Sequence, residues 1–148
     1  MQAIQTQALE LASFSQLSDP NNVVRAAWPV YRDTGAGGTA VVYFELDRGM
    51  ELPSHTDSAE EVLVVLEGEV EATVGGESRR LGAGGIAVVP AMAPHGARNV
   101  GDGTARVAGV FPSNTIVAVF DDEFEGIGTR VVGTPPPAEQ VTATSVAA

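Results

Sequence analysis

From Val23 onward the chain is a succession of short runs rich in valine, isoleucine and aromatic residues, punctuated by glycine, asparagine, aspartate or proline. That pattern is the signature of an all-β sandwich or barrel: branched and aromatic side chains suit a pleated surface, and the punctuating residues suit the turns between strands. The runs are TAVVYFELD at 39–47, EVLVVL at 61–66, EVEATV at 69–74, IAVVP at 86–90, ARVAGVF at 105–111 and TIVAVF at 115–120. Within 69–74, Val70, Ala72 and Val74 face one way and Glu69, Glu71 and Thr73 the other, so that strand should be half exposed. Residues 61–66 are apolar on both faces, Leu63 and Val65 on one and Val62, Val64 and Leu66 on the other. This is expected of a strand covered on both sides. Glu61 at the head of that run is a charge that needs a reason.

The length of 148 residues suffices for one well-buried core, and 44% apolar with 18% charged residues suits a globular chain. Residues 1–22 read as an N-terminal arm, with mild helical periodicity in Ile4, Ala8, Leu11 and Phe14 before the turn formers SDPNN. Residues 23–133 read as the barrel domain. The tail 134–148, TPPPAEQVTATSVAA, reads as extended and mobile. A net charge of -11 argues against nucleic acid and anionic membranes as partners, because both recruit cationic surfaces. With no cysteine there is no disulfide framework, thiolate site or cysteine nucleophile. The sequence shows no basic, apolar leader and no run long enough to span a bilayer, so a cytoplasmic location is the expectation.

The chemistry concentrates in PSHTDSAEE, 53–61, and VVPAMAPHGARN, 88–99, which carry the only two histidines. In a continuous strand His55, Asp57 and Glu61 would share a face, unless the turn-prone DSAE breaks the register. A divalent first-row metal takes mixed imidazole and carboxylate ligands with positions left open. His55, Glu61 and His95 supply such a set, with Asp57 as a fourth ligand or as an acceptor that orients His55. Glu60 falls on the opposite face and reads as a surface carboxylate.

The spacing resembles that of the cupin family. Gly49, His55, Asp57, Glu61 and Gly68 are similar to the first cupin motif, with aspartate in its second-histidine slot. Gly84, Pro90, Met92, His95 and Asn99 are similar to the second, with methionine in a glycine slot. The resemblance covers roughly 40–120 and implies a double-stranded β-helix, or jelly-roll, barrel of the small single-domain bacterial type. It also implies that His55, Glu61 and His95 are metal ligands. Aspartate at 57 would make the set two imidazoles and two carboxylates, which favours Fe(II) or Mn(II), with Zn, Ni or Co as further options. Met92 is expected to fill space near the barrel mouth.

Other features read as structural. Glycines 68, 84 and 85 read as turn formers with positive φ, DDEFE at 121–125 as a solvated loop, and RDTGAGG at 32–38 as a flexible connection. Tyr43, Phe111, Phe120 and Trp28 read as core or dimer contacts. Two functions are consistent with the resemblance. One is a metal-dependent enzyme of the dioxygenase, isomerase, decarboxylase or lyase type acting on a small oxygenated molecule; the other is a non-catalytic module that binds a metal or small ligand. A homodimer is expected, with Trp28 and Tyr31 of NVVRAAWPVY, 22–31, exposed as an intersubunit clasp.

Overall fold

A computed structural model describes residues 1–134. Twelve strands follow one another: β1 (Ala12–Ser15), β2 (Val23–Val30), β3 (Ala40–Leu46), β4 (Glu51–Asp57), β5 (Glu61–Glu67), β6 (Glu69–Val74), β7 (Glu77–Gly82), β8 (Ile86–Val89), β9 (His95–Asn99), β10 (Ala105–Phe111), β11 (Val117–Phe120) and β12 (Val131–Gly133). They form two six-stranded sheets, ordered β1-β2-β3-β10-β5-β8 and β12-β11-β4-β9-β6-β7. Every pairing is antiparallel. From β3 to β11 the chain crosses between the sheets at every step but the β6–β7 hairpin, which is how a jelly-roll barrel winds. Among the described residues no helix is long and apolar enough to cross a membrane.

Alternation along each strand sends one set of side chains into the barrel. Phe44, Leu46, Leu63, Val65, Val70, Val89 and Val107 meet there and are almost wholly buried. Each contributes on the order of 1.5–3 kcal/mol relative to leaving it in water. At the turn between β5 and β6, Gly68 has φ of 83° and lies against the Ala105 backbone, so any side chain there would both strain and collide. Asn99 is buried and fastens the turn after β9, its amide donating to the Leu46 and Gly103 carbonyls at 2.8 and 2.7 Å.

Several expectations are corrected. The β5 strand is covered on one face only: Glu61, Leu63 and Val65 are buried, Val62 and Val64 are half-buried, and Leu66 is exposed. The even positions form the outside of the first sheet. The N-terminal arm contributes a strand, β1 on β2, preceded by a single 3₁₀ turn at Thr6–Ala8; pairing and the burial of Phe14 against Phe124 win over its weak helical periodicity. Gly85 does not share the positive φ of Gly68 and Gly84; a side chain there would instead strike the Gly82 carbonyl. The connection at 32–38 opens with a 3₁₀ turn, Arg32–Thr34, and Asn114 donates to its Ala36 carbonyl at 3.0 Å. Thr134, the first tail residue, is fixed by hydrogen bonds with Ile116, whereas the rest of the tail reading lies outside the described residues.

Candidate metal centre

The inner face of the second sheet carries three of the four sequence-nominated residues. Strands β4 and β9 are registered so that His55 stands opposite His95, and β11 places Phe120 opposite His55 on the other side. The two imidazole centroids are 4.1 Å apart, and the Phe120 ring stacks on His55 at 4.4 Å with 16° between planes. Asp57, two residues beyond His55, shares its face. Ligand atoms of His55, Asp57 and His95 lie within 4.8 Å of one another, and all three residues are buried. At the local irregularity between β4 and β9, Gly96 lets the strands approach, since a Cβ there would lie 2.7 Å from the Leu52 carbonyl oxygen.

Glu61 arrives from the opposite sheet. The turn at 58–60 carries the chain across the barrel, so equal parity with His55 is not what brings it near. Its buried carboxylate rests on Gly109 of β10, where a Cβ would overlap it. Oε1 lies 3.2 Å from His95 Nε2. Glu61 therefore touches the three-residue cluster through His95 without belonging to the mutually close set. Glu60, its neighbour, is exposed.

The hydrogen-bond inventory sets the electrostatics. His55 Nδ1 donates to the Pro53 carbonyl at 2.8 Å, and His95 Nδ1 donates to the Ala93 carbonyl at 2.9 Å. In the neutral ring each Nε2 is then a lone pair, and both lone pairs point into a space bounded by carboxylates. Asp57 Oδ2 is 3.0 Å from His95 Nε2 and 3.7 Å from His55 Nε2. Alignment suits a hydrogen bond from His95 to Glu61, whereas Asp57 Oδ2 is buried with no hydrogen-bond partner among the described residues. Two imidazole lone pairs and the Asp57 carboxylate thus converge on one buried point, with the Glu61 carboxylate beside His95, an arrangement that requires a cation, whether a proton or a metal ion.

Without a metal the proton sits on His95. Burial pushes its imidazole down, but the close carboxylates of Asp57 and Glu61, and then the Ala93 carbonyl, together hold it at about 10. Burial and the adjacent His95 instead lower His55, with Asp57 opposing. Glu61 is raised by burial, against the hydrogen bond from His95.

The Pro90–Ala93 turn links the two halves of the cluster. The Met92 amide donates to the Asp57 carbonyl at 2.9 Å, while the Ala93 carbonyl orients His95. Met92 has φ of 65°, a left-handed conformation suited to glycine, and its side chain is 61% exposed. The methionine therefore occupies a glycine's backbone position at some strain and does not fill the barrel mouth.

A cavity of about 110 Å³ opens beside the cluster. Trp28 and Phe111 line it, packed at 5.8 Å, with Phe120 and Phe124 at 4.9 Å. Trp28 and Tyr31 are half-buried and packed on the Ala40, Phe111 and Ile116 cluster, so they are less exposed than expected of an intersubunit clasp. Phe124, within the acidic run expected to be solvated, is buried and bridges to Gln16 of the arm. Gly109, Phe120 and Phe124 are the site residues that sequence reasoning missed. A glycine inside the valine-rich ARVAGVF was the available signal for the first, since glycine in a strand marks close approach; the register that stacks Phe120 on His55 has no local signature.

Residues 42–111 match the family model described as "Cupin domain". No curated protein matches the sequence significantly. Among solved structures, an oxalate oxidase in complex with the substrate analogue glycolate superposes with a TM-score of 0.65 at 22% identity, over 80% of this chain and 63% of that one. The Lactobacillus farciminis oxalate decarboxylase formate complex gives 0.64 at 17%, over 82% of this chain and 35% of that one. The Schizosaccharomyces pombe Cnp3 cupin domain gives 0.61 at 18%, over 75% and 73%. The chain thus spans under two thirds of both oxalate enzymes, and at these identities the likeness is one of fold. Two interleaved antiparallel sheets and a histidine pair facing across β4 and β9 frame the matched stretch, so residues 42–111 are a cupin domain within a barrel of cupin-type fold.

Proposed function

We propose that the domain holds a divalent metal ion through His55, Asp57 and His95, with Glu61 completing the donor set from the opposite sheet, and that it acts on a small oxygenated organic molecule. The observation that carries this reading is the convergence of two imidazole Nε2 atoms and the Asp57 carboxylate on one buried point with the Glu61 carboxylate beside it, both Nδ1 atoms being committed to backbone carbonyls and Asp57 Oδ2 having no hydrogen-bond partner among the described residues. Imidazole and carboxylate donors without thiolate fit Fe(II) or Mn(II). Bound there, such an ion supplies Lewis-acid polarisation of an oxygen donor or a redox-active centre.

The protein's own groups do the rest. The Pro53 and Ala93 carbonyls fix the tautomer and rotation of each imidazole, as acceptors behind metal-bound histidines do. Phe120 covers one face of His55 and, with the aromatic wall, keeps water from the cluster. Glu61 shares a hydrogen bond with His95, so it steadies that imidazole from the opposite sheet and brings a second carboxylate to the donor set. Elemental analysis of protein purified without chelator and soaked with Fe(II) or Mn(II) tests the reading: about one equivalent is expected, and absence of bound metal overturns it. Oxygen consumption over a panel of diketones, catechols and thiols then separates turnover from passive binding.

One observation favours binding without turnover as a second reading. Apart from His55, Asp57 and Glu61, the cavity wall presents no titratable side chain among the described residues, so no separate acid or base stands ready beside the ligand. The homodimer remains a proposal. Its support moves from Trp28 and Tyr31 to the outer face of β5 and the edge strand β8, where Leu66, Ile86 and Val88 are exposed and unpaired strand groups invite a second copy. Sedimentation of a monomer at micromolar concentration would count against it.

A further inference from the structure

The cavity beside the cluster has an unusual charge balance for a site that takes a small acid. Asp57 and Glu61 together carry the two negative charges that neutralise a divalent ion, so the loaded centre has no net positive charge left to attract an anion. None of the chain's eight cationic side chains lines the cavity. A dicarboxylate entering it would be stripped of water with no countercharge, the most unfavourable form of polar burial. A net charge of -11 opposes its approach as well.

The walls favour a different guest. Phe14, Trp28, Phe44, Phe111, Phe120 and Phe124 surround the space, and the small side chains of Ala26 and Ala118 keep it open. Its volume, about 110 Å³, is on the scale of the ~150 Å³ apolar cavity that accepts benzene. Aromatic faces and edges at 4.9–5.8 Å spacing offer stacking and edge contacts to one more ring. The His55, Asp57 and Glu61 side chains are the polar part of the lining.

We propose that the site selects an uncharged, single-ring aromatic molecule carrying a hydroxyl or carbonyl oxygen directed at the metal, and rejects small dicarboxylates such as oxalate. The assignment deepens the metal reading above and rests on it. Selectivity lies in the pairing of a neutral donor set with an apolar wall, so the determinants are Asp57 on one side and Ala26 and Ala118 on the other.

Trp28, the one tryptophan of the chain, lines the cavity and reports on its occupancy. The full-length protein is first titrated with Mn(II) by calorimetry, then, loaded, with phenol and separately with oxalate while Trp28 fluorescence is followed. Phenol is expected to change the Trp28 signal saturably and to bind at least tenfold more tightly than oxalate. Ala118→Leu, which fills the space, should weaken phenol at least tenfold while keeping the Mn(II) stoichiometry; Ala26→Leu gives the same test should the first variant fail to fold. No Mn(II) uptake overturns the metal reading and the assignment with it. With Mn(II) bound, oxalate affinity equal to or above that of phenol, absence of a phenol response, or undiminished phenol binding in the filled variants overturns the assignment alone.

Discussion

Gly109→Ala is the sharpest local test of how Glu61 is held. A Cβ at 109 would lie 2.9 Å from both Glu61 Cδ and Val42 Cγ1, and closer still to Glu61 Oε2. Neither neighbour can yield cheaply. Glu61 is 3% exposed with His95 Nε2 3.2 Å away, and Val42 packs against the Ala40, Phe111 and Ile116 cluster. Overpacking of this kind costs about 1–3 kcal/mol. Displacing Glu61 also loses a charge-assisted hydrogen bond, worth about 1.5–3 kcal/mol. The two losses overlap, because a carboxylate that moves relieves the clash, so a total of about 2–4 kcal/mol is expected. For a chain of this size that lowers Tm by about 4–16 °C. Scanning calorimetry of the metal-free protein measures it, with Gly103→Ala as control, since a Cβ there meets nothing within 4 Å. Mn(II) affinity should fall at least tenfold in the same variant. A Tm within 2 °C of the parent and unchanged Mn(II) binding would refute the placement of Glu61 on Gly109.

Three further outcomes follow from the site. Because the His95 pKa rises from its ordinary 6.5 to about 10 on folding, its protonation stabilises the metal-free protein fully below about pH 6.5, and that contribution disappears as pH rises toward 10. Thermal melts from pH 6.5 to 10 should therefore show falling Tm, with a shallower slope in His95→Gln, and Mn(II) binding at pH 7 should release about one proton, measurable by calorimetry in buffers of different ionisation enthalpy. Met92→Gly should raise stability by up to about 1 kcal/mol, since relief of a left-handed conformation costing ~1–2 kcal/mol exceeds the added chain entropy of ~0.4–1 kcal/mol; a loss in urea melts would contradict the strain. Phe120→Ala should cost about 3–5 kcal/mol from a site 6% exposed, and in urea melts it should also weaken Mn(II) by freeing the His55 ring; a milder Phe120→Leu that keeps full Mn(II) affinity would show that stacking does not position His55.

What the sequence discloses depends on whether inward positions are apolar. Strands β3, β5, β6, β8, β10 and β11 announce themselves because valine, leucine and phenylalanine fill the barrel from them. Strands β4 and β9 do not, because their inward positions are Pro53, His55 and Asp57 in one and His95, Ala97 and Asn99 in the other. The elements that build the site break the pattern by which strands are read. Strand β7 is an edge with almost no buried side chain and carries no alternation at all.

The site shows the same division. Both histidines are visible through their spacing, and the structure sets them face to face. The route of Glu61 is not visible: parity along one strand suggests a shared face, whereas the 58–60 turn sends it to the opposite sheet, and only the sheet order explains its return to His95. Phe14 and Phe124 reach the cavity by contacts across more than a hundred residues, and the charges around Phe124 hide it among solvated neighbours. The doubly apolar β5 is misleading for a related reason, since Val62, Val64 and Leu66 face outward with no covering layer among the described residues.

The central claim is that the buried acceptors of His55, Asp57 and His95 are arranged around a metal ion. Calorimetric Mn(II) titration of chelator-stripped, full-length protein, compared with His55→Ala, His95→Ala and the exposed control Glu60→Gln, tests it most directly. About one equivalent should bind to the parent and to Glu60→Gln, and none to folded His55→Ala or His95→Ala. A folded parent that takes up no Mn(II), or histidine variants that bind it with the parent's affinity, would contradict the account.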